Sequence, residues 1–140
     1  MNKFRRYRYN GHIRDTGFTI VELLLVLGII AVLIVIALPM YRSFVDRAKI
    51  VQTAMALDTV RKDMEVYYND NSRYPSSIDF TDFTDQSGKK ILNEQTRLDL
   101  KKKVFSWESY MLTGTIYTLG ARAKDSDRTL IIVTPQKVDY

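Results

Sequence analysis

The carboxylate of Glu22 is the one charged group in the run FTIVELLLVLGIIAVLIVIAL, the 21 residues from Phe18 to Leu38. At the centre of a bilayer such a carboxylate costs about 2–3 kcal/mol, and less near the interface. A charge kept there needs a partner. Cutting the chain just before Phe18 creates an α-amino group about one helical turn from Glu22. That amine can neutralise Glu22 within one chain or, in an assembly, on its neighbour, where the pair also locks the register between helices.

The remaining candidates for chemistry are sparse. Asp79, Asp82 and Asp85 form an acidic stretch. Their spacing lacks the glycine turn and distal glutamate of an EF-hand, so a solvated loop is the favoured reading and a calcium site the lesser one. Lys101, Lys102 and Lys103 suit the C-terminal end of a short helix better than a lipid or DNA site. There is no cysteine, and the single histidine, His12, precedes the apolar run. No P-loop, GxSxG, HExxH or dinucleotide fingerprint occurs. The expectation is a protein that is not an enzyme and holds no cofactor.

These groups must be positioned by the elements around them. A 21-residue helix rises roughly 31 Å, enough for a ~30 Å hydrocarbon core. The formal net charge is +5, but Lys3, Arg5, Arg6, Arg8 and Arg14 against Asp15 place most of it before the apolar run. Residues 18–140 are close to neutral, which removes the basic footprint expected of a nucleic-acid partner. A cationic N-terminus ahead of an apolar helix is instead the asymmetry that keeps an N-terminus cytoplasmic. A conventional secretory signal is cut after its apolar run at paired small residues. Val35-Ile36-Ala37-Leu38-Pro39 offers no such pair. An uncleaved signal anchor and a chain cut before Phe18 both remain open, and Glu22 favours the latter.

Gly17 followed by Phe18-Thr19-Ile20-Val21-Glu22-Leu23, a long aliphatic stretch and Pro39 resembles the class III signal of type IV pilins and type II secretion pseudopilins. The match covers about 25 residues. Thr16 departs from the lysine or arginine that often precedes the glycine. The resemblance implies cleavage between Gly17 and Phe18 by a prepilin peptidase, which also methylates the amine of Phe18. Glu22 becomes the fifth mature residue and Pro39 the twenty-second, both characteristic of the family. Gly28 and Pro39 are then points where the helix can bend on assembly. The plain alternative is that glycine is common in membrane helices and that proline simply removes one backbone bond.

Beyond Met40 the pattern becomes amphipathic. Ile50, Ala54, Leu57, Val60 or Arg61, Met64 and Tyr68 recur at helical spacing. Phe44, Ala48, Val51 and Met55 make a second strip. The favoured reading joins both strips in one broad core face; the alternative gives the lower strip to neighbouring subunits. Asn69-Asp70-Asn71-Ser72 before Arg73-Tyr74-Pro75 stops the helix. A helix of roughly 50 residues far exceeds the globular mean of ~12, which makes sense if its first half packs in lipid or on other subunits. A short helix capped by Asn93 is expected up to the lysine run. Strands are expected over Val104–Leu112, Thr115–Ala123 and Thr129–Val133, with turns at Thr113-Gly114 and Asp125-Ser126-Asp127. In the second strand Tyr117, Leu119, Ala121 and Ala123 share one face. Trp107 and the tyrosines read as core or sheet residues rather than a binding platform.

The fold expected is α+β and pilin-like: a long N-terminal helix whose amphipathic half packs on a small antiparallel sheet. Its divisions are a removable leader over 1–17, a membrane and filament-core helix over 18–39, an amphipathic helix over 40–72, and a globular head of about three strands over 73–140. The favoured function is a structural subunit of a type IV pilus-like filament or a secretion pseudopilus, with the small head and missing cysteines leaning slightly to a pseudopilin or minor pilin. Its implied partners are the prepilin peptidase, other pilin or pseudopilin subunits, an inner-membrane assembly platform and, before assembly, the lipid bilayer. Its implied place is a bacterial inner membrane, crossed once with the head outside the cytoplasm. The rival is an uncleaved single-pass protein displaying a small binding domain.

Overall fold

The computed structural model describes residues 17–140. Residues 1–16, which hold most of the expected leader and His12, lie outside the described residues. The chain divides between Leu38 and Pro39 into two units.

In the first unit, Gly17, Phe18 and Thr19 precede the start of helix α1 (Ile20–Asn71). Every residue from Gly17 to Leu38 is exposed. The helix forms because long aliphatic side chains lose little rotamer freedom in it, and it is long and apolar enough to cross a membrane. Gly28 has nothing within 4 Å of the place a Cβ would occupy. The helical assignment continues through both Gly28 and Pro39. Since proline has no N–H, the carbonyl four residues earlier, on Val35, lacks its usual donor.

In the second unit, α1 turns one face inward. Ala54, Leu57, Val60, Met64 and Tyr67 are buried, with Leu57 and Met64 fully so. The face differs from the expected one at its end, where Tyr67 is buried and Tyr68 only half-buried. The two-strip reading also needs correction. Phe44 and Met55 are 66% and 65% exposed, and Ala48 and Val51 are exposed too. That strip is not core, because the sheet is wide enough to cover only the face centred on Leu57.

Helix α2 (Glu94–Lys103) is capped by Asn93, whose side chain accepts the Thr96 N–H at 2.8 Å. Asn93 in turn donates from its backbone and side chain to Asp63 on α1, fixing α2 to that helix. The lysines fill its last turn, at the negative end of the helix dipole. The chain then passes directly into β1 (Val104–Thr113), followed by β2 (Ile116–Ala123), β3 (Leu130–Val133) and β4 (Val138–Asp139). All neighbours pair antiparallel in the order β1-β2-β3-β4. The short fourth strand exceeds the three expected; two residues are too few for alternation to show. Gly114 takes φ +62 in the two-residue turn between Thr113 and Ile116, a conformation that glycine adopts without strain.

Tyr117, Leu119, Ala121 and Ala123 are all fully buried, joined by Ile131 and Val133 of β3. They pack with the inner face of α1 in one core. Two register shifts in β1, at Val104/Ser106 and Trp107/Ser109, mark bulges that re-aim the side chains of that strand. Trp107 lies parallel to Phe80 at 5.4 Å and edge-on to Phe83 at 4.9 Å. It thereby holds the long connection between the helices against the sheet.

Candidate processing and assembly site

Gly17 and Phe18 lie in non-helical backbone before α1. Phe18 is 82% exposed, and nothing approaches the bare α-carbon of Gly17 within 4 Å of a Cβ position. Among the described residues, the Gly17–Phe18 bond is non-helical and uncovered.

Glu22 is not without a partner in its own chain. The Thr19 backbone N–H and its hydroxyl both donate to Glu22 Oε2, at 2.9 and 2.8 Å. The Glu22 N–H donates back to Thr19 Oγ1 at 3.2 Å. The Leu23 N–H donates to the Thr19 carbonyl at 3.2 Å, closing the first helical turn. This is a capping box, Thr-x-x-Glu, in which N-cap and N3 side chains satisfy each other's free backbone donors. The positive end of the helix dipole adds a further attraction for the carboxylate. These bonds weaken the preference that Glu22 gives to a chain cut before Phe18, because they partner the carboxylate in an uncleaved chain as well. Thr19 is the residue that the sequence reading missed, although Thr19-Ile20-Val21-Glu22 carries the signature in full.

The structure therefore brings Gly17, Phe18, Thr19 and Glu22 together at the start of α1. Gly28 and Pro39 lie further along the same helix and make no part of that cluster.

The acidic trio is not a cluster. Among the described residues no group of three metal-capable side chains occurs. Asp79 accepts the Thr81 N–H at 2.8 Å, and Asp82 pairs with Arg97 at 3.1 Å. Asp85 is buried and accepts from the Tyr67 hydroxyl at 2.6 Å, from the N–H and hydroxyl of Ser87, and from the Lys89 N–H. The Ser87 and Tyr67 hydroxyls hold its carboxyl well below the usual carboxylate range. Burial, then the bond to Asp85, pushes Tyr67 up to about 12. Asp85 thus organises its loop and ties it to α1.

The chain is 27% identical over 84 residues to a fimbrial protein of Neisseria meningitidis serogroup A, a match covering 58% of this chain and 49% of that protein. It is 28% identical over 61 residues to a type IV major pilin protein PilE1 of Neisseria gonorrhoeae, covering 44% of this chain and 37% of the relative. A fimbrial protein of Neisseria meningitidis serogroup B matches similarly, at 28% over 61 residues. The matched stretch thus spans about half the length of these curated relatives or less. No family model matches the chain, and no solved structure does. These relatives support the resemblance to the type IV pilin family.

Proposed function

We propose that this chain, whose curated relatives include fimbrial proteins and type IV major pilins, is a filament subunit made as a precursor and assembled through the first half of α1. The observation that carries the reading is the first unit itself. An accessible Gly17–Phe18 bond is followed by a capped glutamate and an apolar helix that none of the described residues covers. Such a surface has two chemically sensible surroundings, lipid hydrocarbon and other apolar helices. In this reading a prepilin peptidase cuts after Gly17 and methylates Phe18, and the head stays outside the cytoplasm while the helix spans the inner membrane. An assembly platform then moves the subunit into a filament of copies or related chains. The names of the relatives favour a surface pilus over a secretion pseudopilus.

The capping box favours a second reading, because it gives Glu22 a partner even in an uncleaved chain. That reading is a single-pass anchor displaying the second unit as a binding domain. Mass spectrometry of the protein from envelopes of cells holding the peptidase separates the two. The subunit reading expects a chain beginning at methylated Phe18, and full-length protein after Gly17→Leu. An intact Met1 in the wild-type chain establishes the anchor and removes the subunit reading.

A further inference from the structure

A cavity of about 180 Å³ lies at the C-terminal end of α1, closed by Gln86 on one side and by the β1–β2 turn at Gly114 on another. Ser72 ends the helix at φ +56, a left-handed conformation more often filled by glycine, and so turns Arg73 and Tyr74 to line the space. The walls are partly apolar and aromatic, with Ser72, Ser76 and Thr115 among them. Tyr68 and Tyr74 hold their rings 4.7 Å apart, and Leu112 completes the lining.

The charge of this cavity sets it apart. Arg73 lines it and no Asp or Glu does. Four other cavities each include a carboxylate, from Asp58, Asp63, Asp46 and Asp99 respectively. Among the described residues Arg73 has no ion-pair partner.

Three acceptors of the lining are engaged: the Tyr68 carbonyl takes the Ser72 N–H at 2.7 Å, the Pro75 carbonyl takes the Tyr110 hydroxyl at 2.6 Å, and Gln86 Oε1 takes the Ser76 hydroxyl at 2.6 Å. Asp85, which touches the lining residue Tyr67, is already held by Ser87 and Lys89. The Arg73 guanidinium and the Gln86 amide Nε2 are donors with no acceptor among the described residues, beside the hydroxyls of Tyr68, Ser72, Tyr74 and Thr115. A guanidinium in a lining without carboxylates selects an anion, and its planar fork matches a carboxylate with two parallel bonds.

The geometry points to a binding site for a carboxylate carried on a small apolar or aromatic body, with Arg73 and Gln86 Nε2 as donors and Tyr68, Tyr74 and Leu112 as walls. The volume is below the ~300–1,000 Å³ of sites for larger ligands, which limits the guest to a small free acid or one acidic side chain of a peptide. This inference does not depend on filament assembly.

The test uses the full chain, ¹⁵N-labelled in detergent micelles, and follows amide resonances during titration. Sodium benzoate represents the free acid, acetyl-Ala-Glu-Ala-amide the peptide side chain, and benzamide the neutral isostere. Saturable shifts centred on Arg73, Gln86 and Gly114 are expected for at least one carboxylate, with benzamide weaker by about tenfold or more. Benzoate alone responding assigns a free acid; the peptide alone assigns an acidic side chain. Arg73→Lys should weaken binding several-fold and Arg73→Ala by about tenfold or more. Because Arg73 is exposed, both variants should keep the unliganded spectrum elsewhere. No saturable shift with either carboxylate overturns the proposal. So does benzamide matching benzoate, or an affinity unchanged in Arg73→Ala.

Discussion

Leu27 and Leu57 are the same residue in the same helix, and they meet opposite surroundings. Leu27 is 53% exposed in the first unit, whereas Leu57 is fully buried in the second. From Gly17 to Leu38 the apolar side chains are exposed, with no cover among the described residues. From Thr53 to Tyr67 it covers one face with a four-stranded sheet. Helical propensity does not distinguish these regions. The difference lies in what each sequence asks of its environment: an all-round apolar helix requires a nonaqueous or helical neighbour, and a one-sided helix requires a sheet.

The largest expected effect tests that contrast directly. Leu57→Ala should destabilise the second unit by about 2–5 kcal/mol, since a buried side chain is removed and a cavity left behind. Leu27→Ala should change the same unfolding transition by less than about 0.5 kcal/mol. Denaturant unfolding of the full chain in detergent, followed by Trp107 fluorescence, reads both. Equal losses would show that the first unit shares the core, and the contrast would collapse.

Glu22→Ala comes next. It should leave that transition unmoved and lower the yield of sheared filaments about tenfold, equivalent to ~1.4 kcal/mol of assembly free energy, with membrane insertion intact. Thr19→Val sharpens the assignment, because it removes the hydroxyl of the capping box and keeps the carboxylate. Filament yield should stay near wild type in Thr19→Val. A drop equal to that of Glu22→Ala would mean that Glu22 acts by capping its own helix rather than by meeting an amine.

Asp85→Asn probes the second unit at its most heavily hydrogen-bonded carboxylate. The folded-state carboxyl lies well below the usual range, so the unfolded chain takes up its proton first on acidification. The stabilisation is therefore fully present above the unfolded value of about 4 and is lost as pH falls through the folded one. Urea midpoints of the full chain should show the variant less stable at pH 7, with the gap closing below about pH 4. A gap independent of pH would assign the effect to packing rather than charge.

The smallest effect is expected at Tyr117, whose hydroxyl is buried with no hydrogen-bond partner among the described residues. Burial raises this phenol's pKa above its ordinary value, in keeping with a neutral group. Tyr117→Phe removes an unsatisfied polar atom and should leave stability unchanged or raise it by less than about 1 kcal/mol. A clear loss would reveal a partner for that hydroxyl.

Much of this was legible in the chain itself, because it depends on neighbours close in sequence. The apolar run, the lone Glu22, the Asn93 cap and the alternation of Tyr117, Leu119, Ala121 and Ala123 are all local patterns with a fixed period. The Thr19–Glu22 box is equally local, but in an apolar run the same carboxylate has two meanings, a membrane charge and a helix cap. Other features depend on residues far apart in the chain. Nothing in the spacing of Asp79, Asp82 and Asp85 shows that Tyr67, Thr81 and Arg97 engage them separately. Nor does helical periodicity show that the strip from Phe44 to Met55 stays outside the core, since a period gives a face but not the width of what covers it. The sheet's four strands, the bulges of β1 and the cavity beside Arg73 arise where distant segments meet. Local sequence therefore determined which elements form and which faces are apolar. Tertiary packing decided which of those faces are covered, because burial is a property of the neighbour as much as of the residue.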